Sequence, residues 1–447
     1  MIDHRSIAEL ALTGPSRSTV IMAIRVGVCG VGAFARNFIP LFKAHPDVEN
    51  VVLCDLDAEK LTARCAEFGI EDRCDSLDEL CTWDVDAIAI ITQHHLHGPQ
   101  AVQALKAGKH VYSAVPSAIS LPEITALVRT VEATGRIYMI GETSYYYPCA
   151  IFCREKFRKG EFGEIVYAEG EYMHDYLHGM LDVAKWRYGD DWKQKFGMPP
   201  LFYPTHSTSM IVSVTGAHAT QVCGMGVPDR REHRWPAKSE EEKQYRRENY
   251  YARDDACWDN PFSNETMLCK MSDGSVARIN EFRRIGHPGT VGMSMYGTDG
   301  SYEQQSGAAG AGYSAKAGIW VNKNLDERVD VTPLLECAGV PDSEIRGNME
   351  KVTAADGTHQ GASKLHDLSR LPREFIGLPN GHAGSHQFLV DDFVRACVSG
   401  RTPVNNVWDA ARYLVPGLIA HESAIQGGQL MDVPDFGDPP SACAGLK

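Results

Sequence analysis

Ile24-Arg-Val-Gly-Val-Cys29 followed by Gly30-Val-Gly32-Ala33-Phe34-Ala35 is the stretch on which the fold turns. The first six residues are a short apolar run, and the next six spell GxGxxA. Gly30 permits a tight turn, Gly32 lets backbone N–H groups approach a pyrophosphate, and Ala35 lets a helix pack closely on the strand. The following apolar run, Val51–Asp55, ends on an acid 23 residues beyond Gly32. In that context Asp55 is expected to accept from adenosine ribose hydroxyls and to repel a 2′-phosphate, which favours NAD over NADP. The helix N-terminus after the glycines is expected to add partial positive charge for the phosphates. Pro40 falls within that helix and is expected to kink it or end it early.

Further apolar runs follow at Asp86–Thr92, His110–Ser113 and Ile137–Glu142. Asp57–Phe68 reads as a helix closed by Gly69, and Ser120-Leu-Pro-Glu123 as a capping box opening a helix to about Thr134. Strands alternating with helices predict a doubly wound parallel sheet over residues 23–145. Beyond it the rhythm changes. Val166–His174, Ala219–Met225, Met267–Phe282 and Val291–Tyr296 are β-rich, with a turn at Ser272-Asp273-Gly274-Ser275. They predict a second α+β domain, 146–435, on an open, mostly antiparallel, meander-like sheet. His386–Val398 and Val407–Ile425 return to helical periodicity and are expected to pack back on the first domain. Residues 1–22 read as an extension, 229–255 and 325–380 as irregular, and 436–447 as a tail.

Composition narrows the partners. Over 447 residues, 44 Lys+Arg against 58 Asp+Glu give a net charge of −14, which repels phosphate backbones and anionic lipid. Neither nucleic acid nor membrane is expected. The 13 cysteines include no CxxC pair, which fits free thiols in a cytoplasmic protein. His94, His95 and His97 have the look of a metal cluster, but no Cys or carboxylate completes a set beside them, and no metal is expected.

Gly30–Ala35, Asp55, Thr92-Gln-His-His-Leu-His97 and Gly108-Lys-His-Val111 together resemble the Gfo/Idh/MocA oxidoreductases. The resemblance implies a Rossmann domain, a C-terminal α/β domain used for dimer or tetramer contacts, and a nicotinamide cofactor working on a sugar or polyol. The family's sugar dehydrogenases carry Glu-Lys-Pro after the strand at His110–Ser113, and that lysine helps catalysis. Here Ala114-Val115-Pro116 stands instead. Val115-Pro116, Glu142, Tyr172-Met-His174-Asp175 and Tyr203-Pro-Thr-His206 resemble, in order, the family's NAD-dependent glycoside hydrolases of the α-N-acetylgalactosaminidase type. Ser207–Met210 departs from the glycine-rich stretch of those enzymes.

That resemblance implies NAD contacts at Gly30, Gly32, Ala33, Phe34, Ala35, Asp55, Thr92, His94, His97, Val115, Pro116 and Glu142. It implies a glycoside or sugar as substrate and a reaction through transient oxidation at C3, elimination across C1–C2, hydration and re-reduction. Histidine and tyrosine suit such proton transfers. Tyr203 and His206, three apart, are the leading acid/base pair, with His174 and Tyr146 behind them. Tyr172, Asp175, Trp186 and Arg187 are candidate substrate contacts. Arg187, Arg283, Arg284 and His287 suit an anionic sugar or are surface charges. His382 and His386 either approach the site or cap the helix that follows. A net sugar or polyol dehydrogenase and a non-catalytic NAD-binding regulator are the competing readings.

Overall fold

The computed structural model describes residues 23–174, 198–228, 239–240, 262–287, 289–304, 318–337 and 359–440. Strands β1 (Ile24–Cys29), β2 (Val48–Cys54), β3 (Arg73–Cys74), β4 (Ala87–Ile90), β5 (His110–Ser113) and β6 (Tyr138–Ile140) form a sheet in the order β3-β2-β1-β4-β5-β6. Every neighbouring pair is parallel. The chain winds outward from β1 in one direction and from β4 in the other. The connections that leave the carboxyl ends of β1 and β4 run in opposite directions and leave a crevice there.

Local chemistry sets the helices of this half. In α1 (Ile39–Ala44) Pro40 occupies the first turn. Proline lacks the N–H that a continuing helix needs, so it opens a helix instead of extending one. The segment directly after the glycines is therefore only a 3-10 turn, Phe34–Asn37. The α-helix N-terminus expected directly after the glycines, with its dipole, is absent there, and phosphate attraction is left to the N–H groups of a short turn. α2 (Ala58–Phe68) is capped by Asp57, which accepts from Lys60 N, and ends at Gly69 with φ 59°. α3 (His97–Lys106) follows β4, and α4 (Leu121–Thr134) is capped by Ser120.

The second sheet has nine strands in the order β14-β13-β12-β11-β7-β10-β9-β8-β15. They are β7 (Ile165–Met173), β8 (Ala219–Pro228), β9 (Phe262–Met271), β10 (Val276–Phe282), β11 (Thr290–Gly297), β12 (Gly300–Gln304), β13 (Gly318–Asn322), β14 (Glu327–Asp330) and β15 (Met431–Asp432). All pairs are antiparallel except β7 with β10. The sheet is thus not a simple meander, because β7 is inserted between β10 and β11. The Met267–Phe282 run is two strands folded at the expected turn.

Helices α5 (Pro148–Arg158), α6 (Thr205–Thr215) and α8 (Val407–Ile425) contribute to the core between the two sheets, and α7 (Gly381–Ser399) belongs to the packing of the first. α6 lies so close to β7 that a Cβ on Gly170 would come 2.3 Å from the Ser207 carbonyl oxygen, so only glycine fits. α7 packs on β1 and α1, and α8 on α4 and β6. One core cluster runs from the first sheet through α5, α6 and α8 into the second. Among the described residues no helix is long and apolar enough to cross a membrane.

Candidate active site

Gly30 has φ +90°, and a Cβ there would meet the Ile91 carbonyl oxygen at 2.5 Å. Gly32 faces open space: a Cβ added there would have no described atom within 4 Å. The turn is therefore closed on its inner side and open where a pyrophosphate would lie. Asp55 ties this turn to the end of β2: Val31 N donates to Oδ2 at 2.8 Å and Asp57 N to Oδ1 at 2.9 Å. Each oxygen keeps lone-pair capacity for a ribose hydroxyl. Arg64, which the sequence did not single out, donates from Nε to the Val31 carbonyl at 3.2 Å. Ala35 is fully buried, as close packing of the turn requires. This cradle fits a dinucleotide despite its short helical segment.

His97 is buried and bridges two carbonyls, with Nδ1 2.8 Å from Pro116 O and Nε2 3.0 Å from Thr92 O. Burial pushes its pKa down. It pins the loop after β4 to the end of β5. Thr92 also donates to Gln100 at 2.5 Å. Val115 is buried in the core, so the position read against the dehydrogenase lysine holds an aliphatic side chain.

The polar centre lies where β6, β7 and α6 converge. Glu142 is fully buried. Its Oε1 caps the turn Thr143–Tyr146 by accepting from Ser144 N at 2.9 Å, and it lies 2.7 Å from His206 Nδ1. Asn405, itself at φ 56°, fixes this strand end: its carbonyl accepts from Ile140 N at 2.8 Å. Burial alone raises the Glu142 pKa, but the His206 charge and these hydrogen bonds outweigh it and hold the carboxyl below its usual range. An ionised Glu142 accepts, so Nδ1 of His206 carries a proton and Nε2 is the nitrogen left to exchange one.

Aromatic rings wall this imidazole. Tyr203 lies 5.3 Å from His206 between centroids, 5.1 Å from His94 and 6.1 Å from Tyr172. Tyr172 is 5.3 Å from His206 and stacks on His174 at 5.5 Å. The fold therefore brings together Tyr203, His206, His174, Tyr172, His94 and Glu142. Tyr203 and His206 do not share a helical turn as their spacing suggested. Only His206 is in α6; Tyr203 precedes it at φ −130°, and the bend at Pro204 makes the contact.

Tyr146 is not in this group. Its hydroxyl donates to Asp392, its ring stacks on Phe388 at 5.0 Å, and the Arg370 guanidinium lies 5.6 Å away. Burial and the Asp392 charge drive its pKa well up, which unsuits it for proton transfer near neutrality. Asp175, Trp186 and Arg187 lie outside the described residues.

Glu281 and Arg283 are a second charged pair that sequence spacing did not expose. Glu281 is fully buried, accepts from Ser207 Oγ, and pairs with Arg283 Nη2 at 2.7 Å. The same guanidinium lies 4.5 Å from the Tyr172 ring. Burial pushes Glu281 up to about 7, with Arg283 and Ser207 restraining it. Arg283 thus has an internal carboxylate partner, which weakens its case as a receptor for an anionic sugar.

A model of the oxidoreductase family with an NAD-binding Rossmann fold matches residues 24–142. A glycosyl hydrolase family 109 protein of Streptomyces niveus is 26% identical over 440 residues, covering 94% of this chain and 78% of its own. An alpha-N-acetylgalactosaminidase of Bacteroides fragilis is 34% identical over 142 residues, covering 30% and 32%. Among solved structures, a levoglucosan dehydrogenase in complex with NADH and levoglucosan superposes with a TM-score of 0.66 at 17% identity. That match covers 92% of this chain and all of the other, and at such identity it speaks for the fold.

Proposed function

We propose, on the premise that residues 24–142 belong to the Gfo/Idh/MocA oxidoreductase family, that this protein is an NAD-dependent glycoside hydrolase. The observation that carries the reading is the His206–Glu142 pair, buried under two phenols, in a site with Val115 at the lysine position. The names of the glycosyl hydrolase family 109 relatives support it. Gly30, Gly32 and Asp55 would hold the dinucleotide, with Phe34, Thr92 and His94 around it. NAD, when bound, supplies a hydride acceptor that oxidises C3 of the sugar and later returns the same two electrons.

The remaining steps are proton transfers. In this reading His174 takes the hydroxyl proton as C3 becomes a ketone. That ketone acidifies the C2 hydrogen, and His206 Nε2 takes it while ionised Glu142 stabilises the imidazolium. The C1–O bond breaks, and the departing oxygen takes a proton from Tyr203. Water adds at C1, a proton returns to C2, and reduction at C3 closes the cycle with no net redox change. Two-carboxylate glycosidases need no such cofactor.

Reaction in D₂O tests this: deuterium should appear at C2 of the released sugar. Active turnover without C2 label excludes the elimination, and steady accumulation of NADH with free sugar indicates a net dehydrogenase instead. We also read the outer face of the second sheet, where Val166, Leu268 and Val276 are exposed, as the surface of a homodimer or homotetramer. The free described cysteines accord with a cytoplasmic site of action.

A further inference from the structure

At the start of α7 three successive residues adopt the left-handed conformation: His382 (φ 48°), Ala383 (φ 55°) and Gly384 (φ 83°). A side chain at positive φ is strained, and two in a row persist only where the surroundings impose them. Those surroundings are visible. Asn380 Oδ1 accepts from Gln387 N at 3.1 Å, and Gln387 Nε2 donates to Phe375 O at 2.9 Å and to Leu378 O at 3.1 Å. Gly384 is pressed on Gly361, whose oxygen would lie 2.8 Å from an added Cβ. A glycine at 382 would relieve the strain, yet a histidine stands there.

The turn carries this imidazole to the dinucleotide cradle. The His382 ring lies 5.7 Å from Phe34, and the His386 ring 4.6 Å from Phe38 and 5.8 Å from Phe34. His382 is also close enough to feel the charges of both His206 and Glu142. Its ring thus faces Phe34 of the glycine turn on one side and lies within electrostatic range of the His206–Glu142 pair on the other.

The two imidazoles share one hydrogen, with His386 Nε2 3.0 Å from His382 Nδ1. His386 Nδ1 is buried without a hydrogen-bond partner among the described residues. A buried N–H left unbonded costs more than an unused lone pair. The proton of His386 therefore sits on Nε2 and is donated to His382 Nδ1, which makes Nε2–H the donor of His382. Burial lowers both pKa values, that of His382 to about 4, so both rings are neutral at pH 7.

We propose that His382 is a catalytic residue that gives a hydrogen bond from Nε2–H to the C3 oxygen of the sugar as it becomes a carbonyl and then an enolate, and that His386 is the positioning residue that fixes its tautomer. This rests on the glycosidase reading above. No proton is transferred to or from His382. Neutral imidazole is the right donor, because it stabilises developing negative charge without protonating it.

The test pairs kinetics with a measurement on the cofactor-free protein. Asparagine tolerates left-handed φ and keeps an acceptor for His386 but removes the Nε2 donor, whereas glutamine places an amide N–H near it. His382→Asn is expected to lower kcat by about 10²-fold or more, with NAD affinity measured by tryptophan quenching within about twofold of the parent, and His382→Gln to recover part of the loss. In apo protein labelled with 15N-histidine, and assigned with these variants and His386→Asn, His386 Nδ1 should be unprotonated and His382 Nε2 protonated. A reversed tautomer overturns the proposal, and so does a folded His382→Asn with kcat within about threefold of the parent. If His382→Asn does not fold, the tautomer and His382→Gln decide. A parent without C2 exchange sinks the glycosidase reading; a parent and His382→Asn that exchange equally well sink this inference alone.

Discussion

Replacing Glu281 by glutamine should flatten the dependence of stability on pH. Glu281 titrates at about 7 in the folded protein, against 4.5 for an ordinary glutamate, chiefly because it is fully buried. Between those values the unfolded chain has lost its proton and the folded one has kept it. Stability therefore falls as pH rises across that window and levels off above the folded pKa. At 1.36 kcal/mol per pH unit over about 2.5 units, the decline attributable to this group is about 3 kcal/mol. Glutamine mimics the protonated acid: its carbonyl accepts from Arg283, and its amide faces Ser207 Oγ, which itself donates to Pro204 O. Urea unfolding of both proteins at pH 4.5 through 8 measures the effect. The gap between them should shift in favour of the variant by about 3 kcal/mol from the acid to the alkaline end. Parallel profiles would refute the argument, because they mean that Glu281 ionises in its buried place at no cost.

Glu142 has the opposite sign: its pKa is depressed, so its contribution is present above about 4.5 and is lost as pH falls through the folded value; Glu142→Leu should cost about 3–5 kcal/mol at pH 7 by thermal or urea unfolding, because it strips a buried imidazole of its partner. Gly32→Ala should leave the melting temperature unchanged and weaken NAD binding at least about tenfold, whereas Gly30→Ala should destabilise the fold itself, since its Cβ meets backbone at 2.5 Å; calorimetry and a binding titration separate the two. Tyr203→Phe should lower kcat by about 10²-fold with little change in stability. Tyr146→Phe should do the reverse, losing about 1.5–3 kcal/mol with its bond to Asp392 while turnover per folded molecule is kept.

Much of the first sheet is readable residue by residue, because what decides it acts over a few positions. Asp57 and Ser120 cap helices from three residues away, Gly69 ends one, and GxGxxA with Asp55 specifies a turn and the strand end it leans on. Pro40 announced a break, and the break came. Its consequence, a 3-10 turn in place of the phosphate-facing helix, became visible only in the structure. The second sheet was legible as strands but not as an order, because nothing local to β7 says that it will lie between β10 and β11.

The candidate site divides the same way. Residue type marked His206, Tyr203, His174 and Tyr146 as able to move protons, and the family resemblance marked Glu142 as a cofactor contact. Which of them meet, and that the Glu142 carboxyl is held below its usual range, was decided by contacts between residues far apart in sequence. His206 Nδ1 reaches Glu142 across 64 positions, and Tyr146 is drawn away by Asp392 across 246. Spacing along the chain carries no information about such pairs. Burial, which moves Glu281 up while hydrogen bonds hold Glu142 down, exists only once the layers have closed. The sequence by itself determined the strand–turn–helix rhythm and the dinucleotide turn, since steric and hydrogen-bonding preferences there are local. The tertiary structure alone decided the ionisation of the buried carboxyls and the company of each imidazole, since desolvation and long-range packing are properties of the assembled chain.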